Sequence, residues 1–324
     1  MSVDMSHPGF ILKLQTKGVV MPLKLKEFLD KQKENVLGSF GDLPEIETVS
    51  TVDESKIPKE INRWLQLEDA IAVFADIQGS TRLAYELNNR EAAAVIETGI
   101  KAIAETFHTC DAKHAQIQGD GAYAVFYGEM ALENAMVAAI TIQTFSQKIF
   151  KERIKVKFPK APATGIKVGV AAGPVIVKVL GKNRVNQFQD PSWVGIPVNF
   201  ASKAASAASP GKLVVTATIW DRIWDNEYLT MSCVCNPEKK KSELWEPFPI
   251  QTLSDYSGEE AGYSLSSTWC DNCGSTFSER VLAGFKTRDL TEDARLSRQK
   301  QKADSLNKVA ARTRASVKAY KRVM

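Results

Sequence analysis

Two stretches of the chain place apolar residues at helical spacing: Ile96, Ile100, Ile103 and Phe107, and further on Ala135, Ala138, Ile142, Phe145 and Ile149. Each stripe predicts a helix with one face on a core. Shorter apolar runs bounded by glycine, proline or polar residues predict strands: Ile71 to Phe74, the stretches on either side of Gly119-Asp-Gly121, Ile166 to Val170, Pro174 to Leu180 and Leu213 to Thr216. From Ala70 the order is strand, helix, helix, strand, strand, helix, strand, which predicts an α+β sandwich with helices on one sheet face. Lys151 to Pro162 is basic and proline-punctuated and reads as a loop, Gly181 to Pro191 as a polar hairpin, and Val198 to Ala208 as a helix stopped by Ser209-Pro-Gly211.

The flanks are less regular. An amphipathic helix is predicted over Leu23 to Leu37, followed by a connector rich in glycine, proline and acid from Gly38 to Glu54. A strongly charged helix is predicted from Thr291 to Val323. The pattern divides the chain into an N-terminal extension (1–66), a central domain (67–250) and a C-terminal extension (251–324).

Composition adds one correction to this picture. The 324 residues are 44% hydrophobic and 25% charged with a net charge of +4, as in an ordinary globular protein. From Ala294 to Met324, however, ten Lys or Arg face a single acid, Asp304, so the rest of the chain is net acidic. The tail is a solvated helix or one that contacts an acidic partner. No apolar stretch approaches a membrane span, and the polar N-terminus lacks the order of a signal peptide, so a cytoplasmic protein is expected.

Chemistry concentrates at two aspartates. Asp76 lies in Phe74-Ala-Asp-Ile-Gln-Gly-Ser-Thr-Arg82, where an apolar run delivers it to a small-residue turn and then a helix. Asp120 lies in Gln118-Gly-Asp-Gly-Ala-Tyr-Ala-Val-Phe126, in a turn between extended stretches. Hard divalent cations take oxygen ligands, and two carboxylates on neighbouring strands beside exposed helix-start amides can hold a metal-bound triphosphate. Two more blocks follow: Ile166-Lys-Val-Gly-Val-Ala-Ala-Gly-Pro-Val175 and Val194-Gly-Ile-Pro-Val-Asn-Phe-Ala-Ser-Lys203.

Taken in this order, the four blocks resemble the class III nucleotide cyclase family across roughly residues 68 to 250. The resemblance implies a ferredoxin-like βαββαβ sandwich and a reaction joining the ribose 3′-oxygen to the α-phosphorus with release of pyrophosphate. It also implies two divalent ions per site, Mg or Mn, held by Asp76 and Asp120 with the Ile77 carbonyl, and phosphate contacts from Gly79, Ser80 and Thr81. Asn199 falls where the family orients the ribose. Lys203 falls where the family usually carries an arginine for the α-phosphate; a lysine keeps the charge and loses the bidentate fork. Of Lys239, Lys240 and Lys241, which precede Leu244-Trp-Glu-Pro-Phe-Pro-Ile250, Lys241 is the choice for the triphosphate. Because these transition-state groups come from the partner protomer, the resemblance implies a homodimer with sites at its seam.

Base choice departs from the family pattern. Four residues before the second aspartate, adenylate cyclases carry lysine and guanylate cyclases glutamate; this chain carries Gln116. Three residues before Gly195, where aspartate or cysteine is usual, it carries Ser192. An amide and a hydroxyl donate and accept alike and fit uracil or cytosine. With the cysteine-bearing extension, these readers resemble the pyrimidine cyclases of bacterial Pycsar antiphage systems. That implies cyclic UMP or cyclic CMP made on infection, acting on a separately encoded effector, with UTP favoured as substrate. ATP remains open, as does a non-catalytic nucleotide sensor.

Five cysteines complete the reading. Cys233-Val-Cys235 and Cys270-Asp-Asn-Cys273 could supply four thiolates to a structural zinc; Cys233 or Cys235 could instead be packed in a strand. Cys110, at the end of a helical stripe, reads as a small buried hydrophobe.

Overall fold

A computed structural model describes residues 24–60, 62–180, 190–233, 235, 244–256 and 258–288. Two compact units result, 1–44 and 45–324. In the first, α1 (Leu25–Gly41) has no buried residue.

Among the described residues, the second unit is built on one sheet of nine strands. Its main path runs β3 (His114–Gln118), β4 (Gly121–Phe126), β2 (Arg63–Ile77), β5 (Ile166–Leu180), β7 (Leu213–Val215), β9 (Ala261–Leu265), β8 (Trp245–Pro249); β1 (Glu45–Thr48) pairs with β2 and β6 (Asp190–Gly195) with β5. The expected connector thus contains a strand. Glu45 to Thr48 pairs in parallel with Arg63 to Gln66, and Val52 and Ile57 are buried.

The alternation along β2 sorts the core. Ile71, Val73, Ala75 and Ile77 face the large cluster that holds Ile103 and Phe107 of α3 (Asn89–Thr109) and Met136 and Ile142 of α4 (Ala131–Phe145). Each such buried large side chain contributes about 1.5–3 kcal/mol relative to exposure. Phe107 meets Phe126 edge-on, centroids 6.4 Å apart. Asn88 caps α3, its Oδ1 accepting from Arg90 N and Glu91 N at 3.1 Å each, while Glu91 accepts from Asn88 N. Such a box satisfies amides that the helix start leaves free.

Helices do not keep to one face as expected. Ala72 and Ala171, pointing the other way, pack with Phe200, Ala201 and Ala204 of α6 (Ile196–Ala207). Glycine allows the contact: a Cβ on Gly169 would lie 2.0 Å from Ala201 O and 2.4 Å from Ala205 N.

The loop expected at Lys151 to Pro162 is helical over its first half. From α4 the chain winds through one π-helical turn, Ser146–Phe150, into α5 (Lys151–Lys157). Phe150 and Ile154 are buried, and that burial outweighs the basic residues around them. The prolines come only afterwards. The proposed hairpin tip (181–189), Lys241 and the basic tail lie outside the described residues.

Candidate active site

Strand β2 ends on Asp76 and Ile77, and α2 (Ser80–Glu86) follows after Gly79, whose φ of +75° is the left-handed conformation that glycine adopts without strain. No side chain caps α2. Asp120 sits in the two-residue turn between β3 and β4, where Gly119 takes φ +63°, as glycine does at the first central position of a type II′ hairpin turn. The Ile77 amide donates to the Asp120 carbonyl at 3.2 Å, so the two aspartate segments are tied through the backbone.

Register brings a line of four residues across the strand ends: Gln118, Gly121, Asp76 and Lys167. Gly121 leaves the space that Asp76 occupies, since a Cβ there would stand 3.1 Å from Asp76 Oδ1 and 2.9 Å from Ala75 O. Lys167 Nζ approaches Asp76 Oδ2 at 3.6 Å. Burial first, and the charge of Asp120 second, push the Asp76 carboxyl above its ordinary range, with Lys167 pulling the other way. Two carboxylates that repel each other, all oxygen and with no sulfur or imidazole, fit a hard divalent cation such as Mg or Mn.

Two residues further along, on the same face, the line is Gln116, Tyr123, Phe74 and Gly169. The Tyr123 hydroxyl donates to Gln116 Oε1 at 2.8 Å. Burial pushes Tyr123 up to about 12, so the hydroxyl keeps its proton. The Gln116 amide group, two N–H donors, is left for a ligand. Ser192 precedes Trp193 on β6, and strand alternation turns their side chains to opposite faces. Trp193 stacks on His114 at 5.1 Å, which ties β6 to the strand of Gln116, while Ser192 pairs across with Lys178 on β5.

Asn199 and Lys203 stand one turn apart on α6. Asn199 is exposed. Lys203 Nζ donates to Thr252 O at 3.1 Å and lies 5.2 Å over the Tyr256 ring. The structure therefore joins Asp76 with Asp120 and ties the strands of Gln116 and Ser192, while Lys203 is turned onto its own chain.

Two residues escaped the sequence reading. Lys167 carries no role in the motif reading; its signal is a charge among the apolar residues that open β5. Tyr123 looked like one more apolar strand residue.

The described cysteines fall in two settings. Cys110 is buried, and the Sγ atoms of Cys233, Cys235, Cys270 and Cys273 all lie within 4.8 Å of one another. None of the four is in a strand.

The chain is similar to known proteins over most of its length. Residues 65–237 match the family model of the adenylate and guanylate cyclase catalytic domain. A uridylate cyclase from Micromonospora echinofusca is 37% identical over 270 residues, 82% of this chain and 87% of that protein. A uridylate cyclase from Propioniciclava tarda is 35% identical over 233 residues, 72% of this chain and 74% of that protein. Among solved structures, the adenylyl cyclase CyaB from P. aeruginosa aligns at 15% identity with a TM-score of 0.47, covering 63% of this chain and 96% of that one.

Proposed function

The chain belongs to the family of adenylate and guanylate cyclase catalytic domains, and from that premise we propose that it is a metal-dependent uridylate cyclase, converting UTP to 3′,5′-cyclic UMP and pyrophosphate. The uracil reading is carried by the Gln116 amide, whose oxygen is occupied by Tyr123. Its free N–H donors suit the O4 acceptor of uracil and oppose the N4 amino group of cytosine. Two relatives named for uridylate cyclase support the same choice.

Asp76 and Asp120 would hold the divalent ions, Mg or Mn, with the Ile77 carbonyl. Such ions supply acidification of the 3′-hydroxyl and charge neutralisation on the phosphates. Backbone amides of Gly79, Ser80 and Thr81 at the start of α2 would take phosphate oxygens. Asn199 orients the ribose, and Lys203 leaves Thr252 O to meet the α-phosphate as a point charge. The 3′-oxygen bonds to the α-phosphorus, its proton is lost, and the bond to the leaving pyrophosphate breaks. Lys241 serves the triphosphate.

We take the working unit to be a homodimer, the aspartates of one protomer facing Asn199 and Lys203 of its partner. No helix among the described residues is long and apolar enough to cross a membrane. The cell role that fits is cytoplasmic synthesis of a second messenger in antiphage defence, read by a separately encoded effector. Pyrophosphate release from UTP by the purified chain, with Asp120→Ala as control, tests the reading. Release by the parent alone supports it, and none from either sinks it.

A further inference from the structure

A cluster of four cysteines lies away from the aspartates. Cys233 and Cys235 follow α8 (Glu227–Thr230), and Cys270 and Cys273 frame the turn into α9 (Gly274–Leu282). Cys235 Sγ stands 3.0 Å from Cys233 Sγ, 3.0 Å from Cys270 Sγ and 3.7 Å from Cys273 Sγ. We propose that these four side chains bind one structural zinc ion as thiolates, stapling the segment after α8 to the start of α9.

The geometry asks for little movement. Zinc–sulfur bonds of about 2.3 Å in a tetrahedron set sulfur–sulfur edges of about 3.8 Å. The Cys235–Cys273 pair already has that spacing, and the two 3.0 Å pairs open by under about 1 Å to reach it. Four sulfurs all within 4.8 Å of one another suit a shared ion and not a single disulfide, which would draw two together and leave two over.

Both halves of the site are held in place by contacts of their own. The Trp269 backbone amide donates to Thr144 Oγ1 at 2.9 Å, and its ring nitrogen to Thr141 Oγ1 at 3.1 Å, so the knuckle is anchored on α4. Gly274 N donates to Cys270 O at 2.7 Å and closes the turn; a Cβ on Gly274 would stand 2.8 Å from Trp269 Cβ. On the other side Arg288 donates to Met231 O at 3.2 Å and Ser232 O at 3.1 Å, which positions the residue just before Cys233. Four protein ligands leave no open position, so the site is structural and not catalytic. Its place beside β8 and β9, at the opposite edge of the sheet from β3 and β4, sets it apart from the Asp76–Asp120 pair.

The test uses the full chain purified under reducing conditions without chelator. Elemental analysis is expected to give one zinc per chain, and an organomercurial titrating the four thiols is expected to release it. Burial pushes the Cys110 thiol up to about 11, so a thiol reagent on the native protein reads the other four cysteines. Four rapidly reacting thiols and no metal would overturn the proposal. So would two missing thiols, which mean a disulfide, or iron with visible absorbance. The double variant Cys270→Ser/Cys273→Ser should lose the zinc; if it fails to fold, the metal content and thiol count of the parent protein decide. All these readouts are independent of cyclase activity.

Discussion

Tyr123 donates its hydroxyl proton to Gln116 Oε1 at 2.8 Å across the β3–β4 pair, and so sets which end of the amide a base would meet. Tyr123→Phe should release that orientation. Loss of one hydrogen bond is worth about 1 kcal/mol, so the preference for UTP over CTP should fall roughly fivefold. Ratios of kcat/KM for the two substrates check it, and an unchanged ratio would remove Tyr123 from base selection.

Lys167 works against burial and Asp120 at the Asp76 carboxyl. Of the influences on that carboxyl, Lys167 lowers its pKa, and burial and Asp120 raise it. An ionised carboxylate is needed to hold a cation, so Lys167→Met should move the acid limb of the pH–activity profile to higher pH. A limb that stays put would show that Lys167 does not act on Asp76.

The same carboxyl costs stability. A group whose folded-state pKa is raised penalises the fold above that pKa and not below its unfolded value. Metal-free Asp76→Asn should therefore melt higher than the parent at about pH 8, with the gap closing as the pH falls through the carboxylate range. Thermal melts at several pH values read the effect, and a variant that melts lower at the alkaline end would contradict it.

Gly169 seats the helix carrying Asn199 and Lys203. Gly169→Ala puts a methyl group against Ala201 O and Ala205 N, and overpacking of this kind costs about 1–3 kcal/mol. Both a lower melting temperature and a lower kcat are expected. Unchanged values of both would mean that α6 can lift at no cost.

Lys203 is held by Thr252 O and Tyr256 in this chain. If it turns to the α-phosphate in the transition state, Lys203→Ala should lower kcat by about 10²-fold and leave KM nearly unchanged. A loss confined to KM would assign it to ground-state binding.

Much of this was legible in the chain because the site is built where patterns change. An apolar run stopping at Asp76 and a Gly-Asp-Gly turn at Asp120 are local signals, and both carboxylates arrive where those signals put them. β1 was hidden because Glu45-Ile-Glu-Thr48 reads as a polar connector; its pairing with Arg63 to Gln66 is a long-range event. The helix at Lys151 was hidden behind its charges, for only the burial of Phe150 and Ile154 shows which face counts. Lys167 and Tyr123 gain their meaning from cross-strand neighbours, Asp76 and Gln116, which no single segment reveals. Gly169 and Gly121 likewise matter through what approaches them, a helix backbone and a carboxylate.

The most direct measurement offers the purified chain an equimolar mixture of ATP, GTP, CTP and UTP with Mn²⁺ and identifies the cyclic product by mass. Cyclic UMP as the dominant product, absent with Asp120→Ala, is the predicted result. Cyclic AMP or cyclic GMP in its place would contradict the reading of Gln116 and leave a purine cyclase.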